Sequence, residues 1–119
     1  MTATLFDRLG GEENIKKISN DLVEMHLINP KFKSRFNDSK PSALKKAVSD
    51  FFIMGSGGPN NYKGKDMLSA HKGMNISDNE YMAAVDDVMK ALSQNGIQDA
   101  EKAEVLYIFY TLRPEVVGV

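Results

Sequence analysis

The chain contains no cysteine. Disulfide scaffolds, thiolate zinc sites, iron–sulfur clusters and cysteine nucleophiles are therefore excluded. Histidine is scarce, with only His26 and His71, so a site built from several imidazoles is excluded by counting. Neither sign of charge dominates: 15 Lys plus Arg against 16 Asp plus Glu leave a formal net charge of −1. Nucleic-acid-binding domains ordinarily carry a clear positive excess, so nucleic acid is not an expected partner. No stretch approaches the ~18 apolar residues of a membrane span. The opening residues, Met1 to Arg8, lack the apolar run of a secretory signal. The expectation is a cytoplasmic protein with no membrane partner. What is present is 119 residues, 42% hydrophobic and 26% charged, which suits one soluble core. Residues 1–119 read as a single domain.

Glycine punctuates this chain in pairs. Gly10-Gly11 precedes the first helical pattern, Gly57-Gly58-Pro59-Asn60-Asn61 follows the second, and Asn95-Gly96 closes a later one. Residues 12–28 predict a helix, with Ile15, Ile18, Leu22, Met25 and His26 on one stripe and Val23 beside it. Asn29-Pro30 ends it, because the residue before proline is pushed out of helical geometry. Residues 31–37 predict a short turn or helical piece carrying Phe32 and Phe36. Residues 41–55 predict a second helix, with Pro41 in its first turn. Leu44, Ala47, Val48, Phe51 and Phe52 lie on its apolar face, and Lys45, Lys46, Ser49 and Asp50 on the other.

A polar loop to about Asp66 leads to a short helical segment with Met67, Leu68 and His71. Ser77-Asp78-Asn79-Glu80 is a capping box. It opens a helix to about Gln94 whose apolar face is Tyr81, Val85, Val88, Met89 and Leu92. The last helix runs from about Asp99 to Pro114. Its stretch Val105 to Tyr110 is apolar nearly all round and predicts the most buried element. No run alternates with period 2 over a useful length. The fold class is therefore all-α, with four main helices and two short ones.

Three constellations bear on chemistry. His71 beside Met67 and Leu68 is either an ordinary, partly exposed histidine or a haem ligand. As a ligand it donates a neutral imidazole nitrogen to iron, while its other nitrogen needs an acceptor such as the Leu68 carbonyl. The set Phe36, Leu44, Val48, Phe51 and Phe52 is either plain core or the wall of a flat apolar ligand. His26 is either a buried histidine bonded to a backbone carbonyl, or a second iron ligand or a donor toward a bound gas. The lysines read as solvated faces, with Lys45 or Lys63 as candidate partners for a haem propionate.

The order of the motifs resembles the truncated haemoglobins, most closely the first group, short globins with a two-over-two helical sandwich. Leu5-Phe6-Asp7-Arg8-Leu9-Gly10-Gly11 is similar to the family's opening segment. Phe36 falls at its phenylalanine against the haem. Phe51-Phe52, Gly57-Gly58-Pro59 and Tyr62-Lys63-Gly64 resemble its second glycine motif and the loop after it. Met67 through Ala70-His71-Lys72 resembles the proximal segment. The likeness spans about Leu5 to Val117. It implies haem b (iron protoporphyrin IX), with His71 as the iron ligand. Phe36, Leu44, Val48, Phe51, Phe52, Tyr62, Met67, Ile76, Tyr81 and Phe109 would pack the cofactor. It further implies reversible binding of a diatomic gas (O2, CO or NO), oxygen transport among the uses, and a reductase partner. Two alternatives stand beside it: a nitric oxide dioxygenase or peroxidase-like enzyme, and a helical interaction module without haem.

The chain departs from that family where a gas would sit. Val23 stands where a tyrosine is usual, and Leu44, Ala47 and Val48 occupy positions where glutamine or histidine is common. Oxygen on ferrous iron gathers negative charge, and a donor to it contributes about 1.5–3 kcal/mol, or about 10- to 100-fold in an equilibrium constant. The expectation is fast release of oxygen, a smaller effect on carbon monoxide, and five-coordinate ferrous iron on His71.

Overall fold

The computed structural model describes residues 3–31, 33–37 and 40–119; Phe32 lies outside the described residues. Among the described residues six helices occur in order: α1 (Leu5–Arg8), α2 (Gly11–Ile28), α3 (Pro41–Gly55), α4 (Met67–His71), α5 (Asp78–Gln94) and α6 (Asp99–Leu112). Two 3-10 turns, Lys33–Phe36 and Arg113–Glu115, complete the framework. Among the described residues there is no strand. A single parallel bridge, Ile76 to Val117, ties the C-terminal end to the segment after α4.

The helix boundaries have local causes. Thr4 and Asp7 form a reciprocal cap on α1, a short helix that periodicity does not reveal. Gly10 has φ 99°, and an added Cβ there would sit 2.7 Å from the Cβ of Asn14. Only glycine makes that turn without strain. It lets Asn14 Nδ2 reach the Leu9 carbonyl at 2.7 Å. Pro41 starts α3 behind an extended Lys40. After α3 the chain turns so closely that a Cβ on Gly58 would lie 2.5 Å from the Phe6 ring. The expected box on α5 is present, with Ser77 Oγ accepting from the Glu80 amide at 3.1 Å and Glu80 reaching back.

Two layers result. The first pairs α2 with α3 and the second pairs α5 with α6, with α2 also packing on α5. The main core joins them through Leu9, Ile15, Ile18, Leu22, Phe52, Ile53, Val88, Leu92 and Val105. A smaller cluster of Tyr81, Val85 and Val116 holds the C-terminal end. Burial of this apolar area is the principal stabilising term.

One expectation fails in α6. Val105 is 2% exposed, but Leu106, Tyr107 and Tyr110 are 46%, 68% and 70% exposed. This helix meets α5 and α1 on one side, and none of the described elements covers its outer side. The continuous burial belongs to α2 and α5 instead. Apolar composition around a helix makes burial favourable; it does not provide the neighbour.

Candidate functional site

A cavity of about 370 Å³ opens between the two layers, within the range of small-molecule sites. α4 forms part of its near wall. Asp66 caps this helix, its carboxylate accepting from the Ser69 amide at 2.8 Å, and His71 ends it against the cavity. His71 Nδ1 lies 2.8 Å from the Met67 carbonyl. A carbonyl oxygen only accepts, so Nδ1 carries the proton. The neutral ring therefore keeps its lone pair on Nε2, the nitrogen a metal requires. The partner is the carbonyl four residues earlier rather than that of Leu68, which accepts from the Lys72 amide. The Leu68 side chain is 43% exposed; Met67 and Ala70 line the cavity in its place.

The far wall comes from α2 and α3: Leu22, Val23, Leu44, Ala47 and Val48, with Phe51 and Phe52 continuing it. None of these side chains carries a polar hydrogen. The polar side chains at the cavity have bonds within the protein. His26 Nδ1 lies 2.8 Å from the carboxylate of Asp87, which is 5% exposed and also accepts from Asn29 Nδ2 at 3.1 Å. The partner of His26 is thus a carboxylate rather than the expected backbone carbonyl. Burial pushes the His26 pKa down, and Asp87 only partly offsets this. A carboxylate only accepts, so the proton in that bond sits on Nδ1.

Arg35 spans the rim. It bonds Glu80 at 2.5 and 2.9 Å and the Met74 carbonyl at 3.1 Å. The Arg35 guanidinium holds the Glu80 carboxyl down at about 2. The Tyr62 hydroxyl donates to the Lys65 carbonyl at 2.5 Å, and its ring stands edge-on to Phe51 at 5.3 Å. The Tyr81 hydroxyl donates to the Phe109 carbonyl. Burial raises its pKa to about 12, so it stays protonated.

The structure brings His71 and every side chain expected to pack the macrocycle to this one cavity: Phe36, Leu44, Val48, Phe51, Phe52, Tyr62, Met67, Ile76, Tyr81 and Phe109. It does not bring the lysines. Lys45 ion-pairs with Glu24, Lys63 is exposed in its loop, and neither lines the cavity. Sequence reasoning missed Arg35, Met74 and Glu80 as lining residues and Asp87 as the support of His26. Glu80 carries a local signal only as a cap; its contact with Arg35 joins residues 45 apart.

These residues fit a haem. The cavity is walled by aromatic rings and aliphatic side chains, as a macrocycle needs. At one wall stands an imidazole whose lone-pair nitrogen is set by its own helix. An all-helical two-layer fold with this site defines a globin of the two-over-two kind. Comparison with known proteins agrees. A family model described as Bacterial-like globin matches residues 4–117. The Group 1 truncated hemoglobin of Tetrahymena pyriformis is 31% identical over 115 residues, covering 97% of this chain and 95% of that protein. Its crystal structure in the Fe(III) form superposes with a TM-score of 0.94 over 98% of this chain and 100% of the other. The Group 1 truncated hemoglobin of Tetrahymena thermophila is 30% identical, again over 97% of this chain and 95% of that protein. The 2/2 hemoglobin of Synechococcus sp., 20% identical over 97% of this chain and 98% of the other, shares the fold with a TM-score of 0.89. The chain belongs to the bacterial-like globins and, within them, to the group I truncated haemoglobins; it is a haem-binding globin.

Proposed function

We propose that this globin reversibly binds a diatomic gas beside a haem b iron held by His71, in a pocket that offers the gas no hydrogen-bond donor. The observation that carries the reading is the contrast across the cavity. On the near wall the His71–Met67 bond presents a ready lone pair; on the far wall Val23, Leu44, Ala47 and Val48 present only carbon. When bound, haem supplies an iron with one position for His71 and one for a gas. Without cysteine, attachment of the cofactor through a cysteine thioether is excluded; His71 and the apolar walls would hold it.

The protein's own groups decide how firmly a gas is held. His26 commits its Nδ1 proton to Asp87. Arg35 is engaged by Glu80 and Met74, and both tyrosine hydroxyls donate to carbonyls. If haem is bound, a polar gas on this wall would be unassisted, and oxygen would leave quickly. Carbon monoxide, which develops less charge, would be affected less. The enzymatic alternatives need polar groups that move protons or stabilise charge, and this wall supplies none. Absorption spectra in ferric, ferrous and carbonmonoxy forms, with stopped-flow oxygen release, test the reading. A five-coordinate ferrous spectrum and rapid release are expected. A low-spin ferrous spectrum without added ligand would overturn it.

A further inference from the structure

The outer side of α6 carries an apolar stripe that the globin core does not use. Ala100, Ala103, Tyr107 and Tyr110 are all exposed. They are spaced three, four and three residues apart, the a/d spacing by which two helices interlock side by side. Leu106, 46% exposed, flanks the stripe. No charged residue lies beyond Glu104 within the helix. The charges before it are engaged inside the chain: Glu101 and Glu104 by Arg8, and Lys102 by Asp99 and Ser93.

The stripe is graded in size, with alanines at its N-terminal end and tyrosines at its C-terminal end. Paired with its own copy running the opposite way, Ala100 meets Tyr110 and Ala103 meets Tyr107. Each large ring then lies over a small residue; a parallel pairing would oppose tyrosine to tyrosine and alanine to alanine. A groove of about 460 Å³ beside Ala103, bordered by Leu5, Gly55, Glu104, Tyr107 and Ile108, takes the ring that arrives opposite Ala103. Charge does not oppose it. Asp99 and Arg113 at the two ends of the seam are paired within their own chain, with Lys102 and Asp78, and Asp99 comes level with the Tyr110 hydroxyl end of the second helix. The two helix dipoles also oppose. Glu104, nearest its own counterpart, is already neutralised by Arg8. The face is self-complementary, as a twofold interface requires.

We infer that the chain forms an antiparallel homodimer through α6, with Leu106 near the twofold axis. The seam runs only from Ala100 to Tyr110, so the interface falls at the small end of specific contacts, under about 1,200 Å², and the dimer dissociates on dilution.

Sedimentation velocity of the haem-loaded protein over a concentration series tests this. A reversible monomer–dimer equilibrium is expected; a monomer at every concentration up to the millimolar range overturns the inference. Tyr107→Glu should weaken dimerisation at least ~10-fold, as interface tyrosines do when lost, with the Soret band and helical content unchanged. An undiminished dimer would overturn the assignment to this face. The absence of native cysteine gives a second, independent test. Under mild oxidation Leu106→Cys should form disulfide-linked dimers and Asp99→Cys should not. Crosslinking at Asp99→Cys, alone or beside Leu106→Cys, would overturn the antiparallel arrangement, because a parallel pairing brings every position to its own counterpart.

Discussion

The two walls of the haem cavity are built on opposite principles. The near wall is made of polar positioning: Asp66 caps α4, Met67 orients His71, the Ser77–Glu80 box starts α5, and Arg35 clamps Glu80. The far wall is aliphatic packing between α2 and α3. The difference separates two tasks often treated as one. Holding iron needs a fixed lone pair, and hydrogen bonds on the side away from the metal supply it. Keeping a polar gas needs a donor at the gas itself, and the far-wall side chains Val23, Leu44, Ala47 and Val48 carry none.

Removing the near wall's lone pair should have the largest effect. His71→Ala takes away the only imidazole fixed by α4. After reconstitution the Soret band should shift and weaken, and the melting temperature should fall toward that of the apoprotein. Haem stabilises only the folded chain it binds, so the apoprotein itself should melt clearly below the haem-loaded protein. A variant with an unaltered Soret band would remove His71 from the coordination sphere. The next largest effect should come from giving the far wall what it lacks. Val23 is fully buried and lines the cavity, so Val23→Tyr places a hydroxyl there. One donor contributes about 1.5–3 kcal/mol, so oxygen release should slow about 10- to 100-fold while carbon monoxide release changes little. Equal slowing of both gases would mean that the tyrosine acts by bulk, and the contrast between the walls would lose its basis.

A smaller effect tests how the near side is held. Phe109 lies in the last turn of α6, where carbonyls lack helical partners. The Tyr81 hydroxyl, on a side chain 7% exposed, supplies the missing donor. Tyr81→Phe should cost about 1–3 kcal/mol, the penalty for stranding a buried acceptor. Thermal or denaturant unfolding should show the loss with the haem spectrum intact; unchanged stability would mean that water replaces the hydroxyl.

How much of the molecule is legible in its sequence depends on the range of each interaction. The α5 capping box spans four residues, and its residue types alone announce it. The cavity residues are gathered by the order of motifs along the chain, since periodicity alone cannot separate Phe51 or Phe109 from plain core. Contacts between distant positions leave no trace. His26 and Asp87 are 61 residues apart, and no local pattern names a carboxylate rather than a carbonyl as the partner. The acceptor for His71 differs by one residue from the expected Leu68, because capping and tilt decide whether the third or fourth preceding carbonyl faces the ring. In α6 the apolar composition is plain in the sequence and its consequence is not. Two apolar sides on one helix are compatible with burial on both, or with one side left for another molecule.

Acid sharpens the contrast at the smallest scale, because the two walls hold groups that change state in different pH ranges. On the far side the folded protein holds His26 neutral, its pKa pushed below 6.5 chiefly by burial. The unfolded chain then binds the proton more readily. The resulting stability is full above about pH 6.5 and is lost as pH falls toward the lower folded value. On the near side Glu80 is depressed from 4.5 to about 2, chiefly by its bond to Arg35. Its contribution is full above about pH 4.5 and is lost only as pH falls toward 2. Acid unfolding should therefore begin on the far side and finish on the near side. Urea midpoints measured from pH 8 to 3 should fall in two stages. His26→Asn should remove the upper stage and spare the lower, whereas Glu80→Gln should spare the upper and shrink the lower, to which Asp66 and Glu104 also contribute. If His26→Asn left the slope between pH 6.5 and 5 unchanged, the His26–Asp87 pair would not be the far wall's acid-sensitive element.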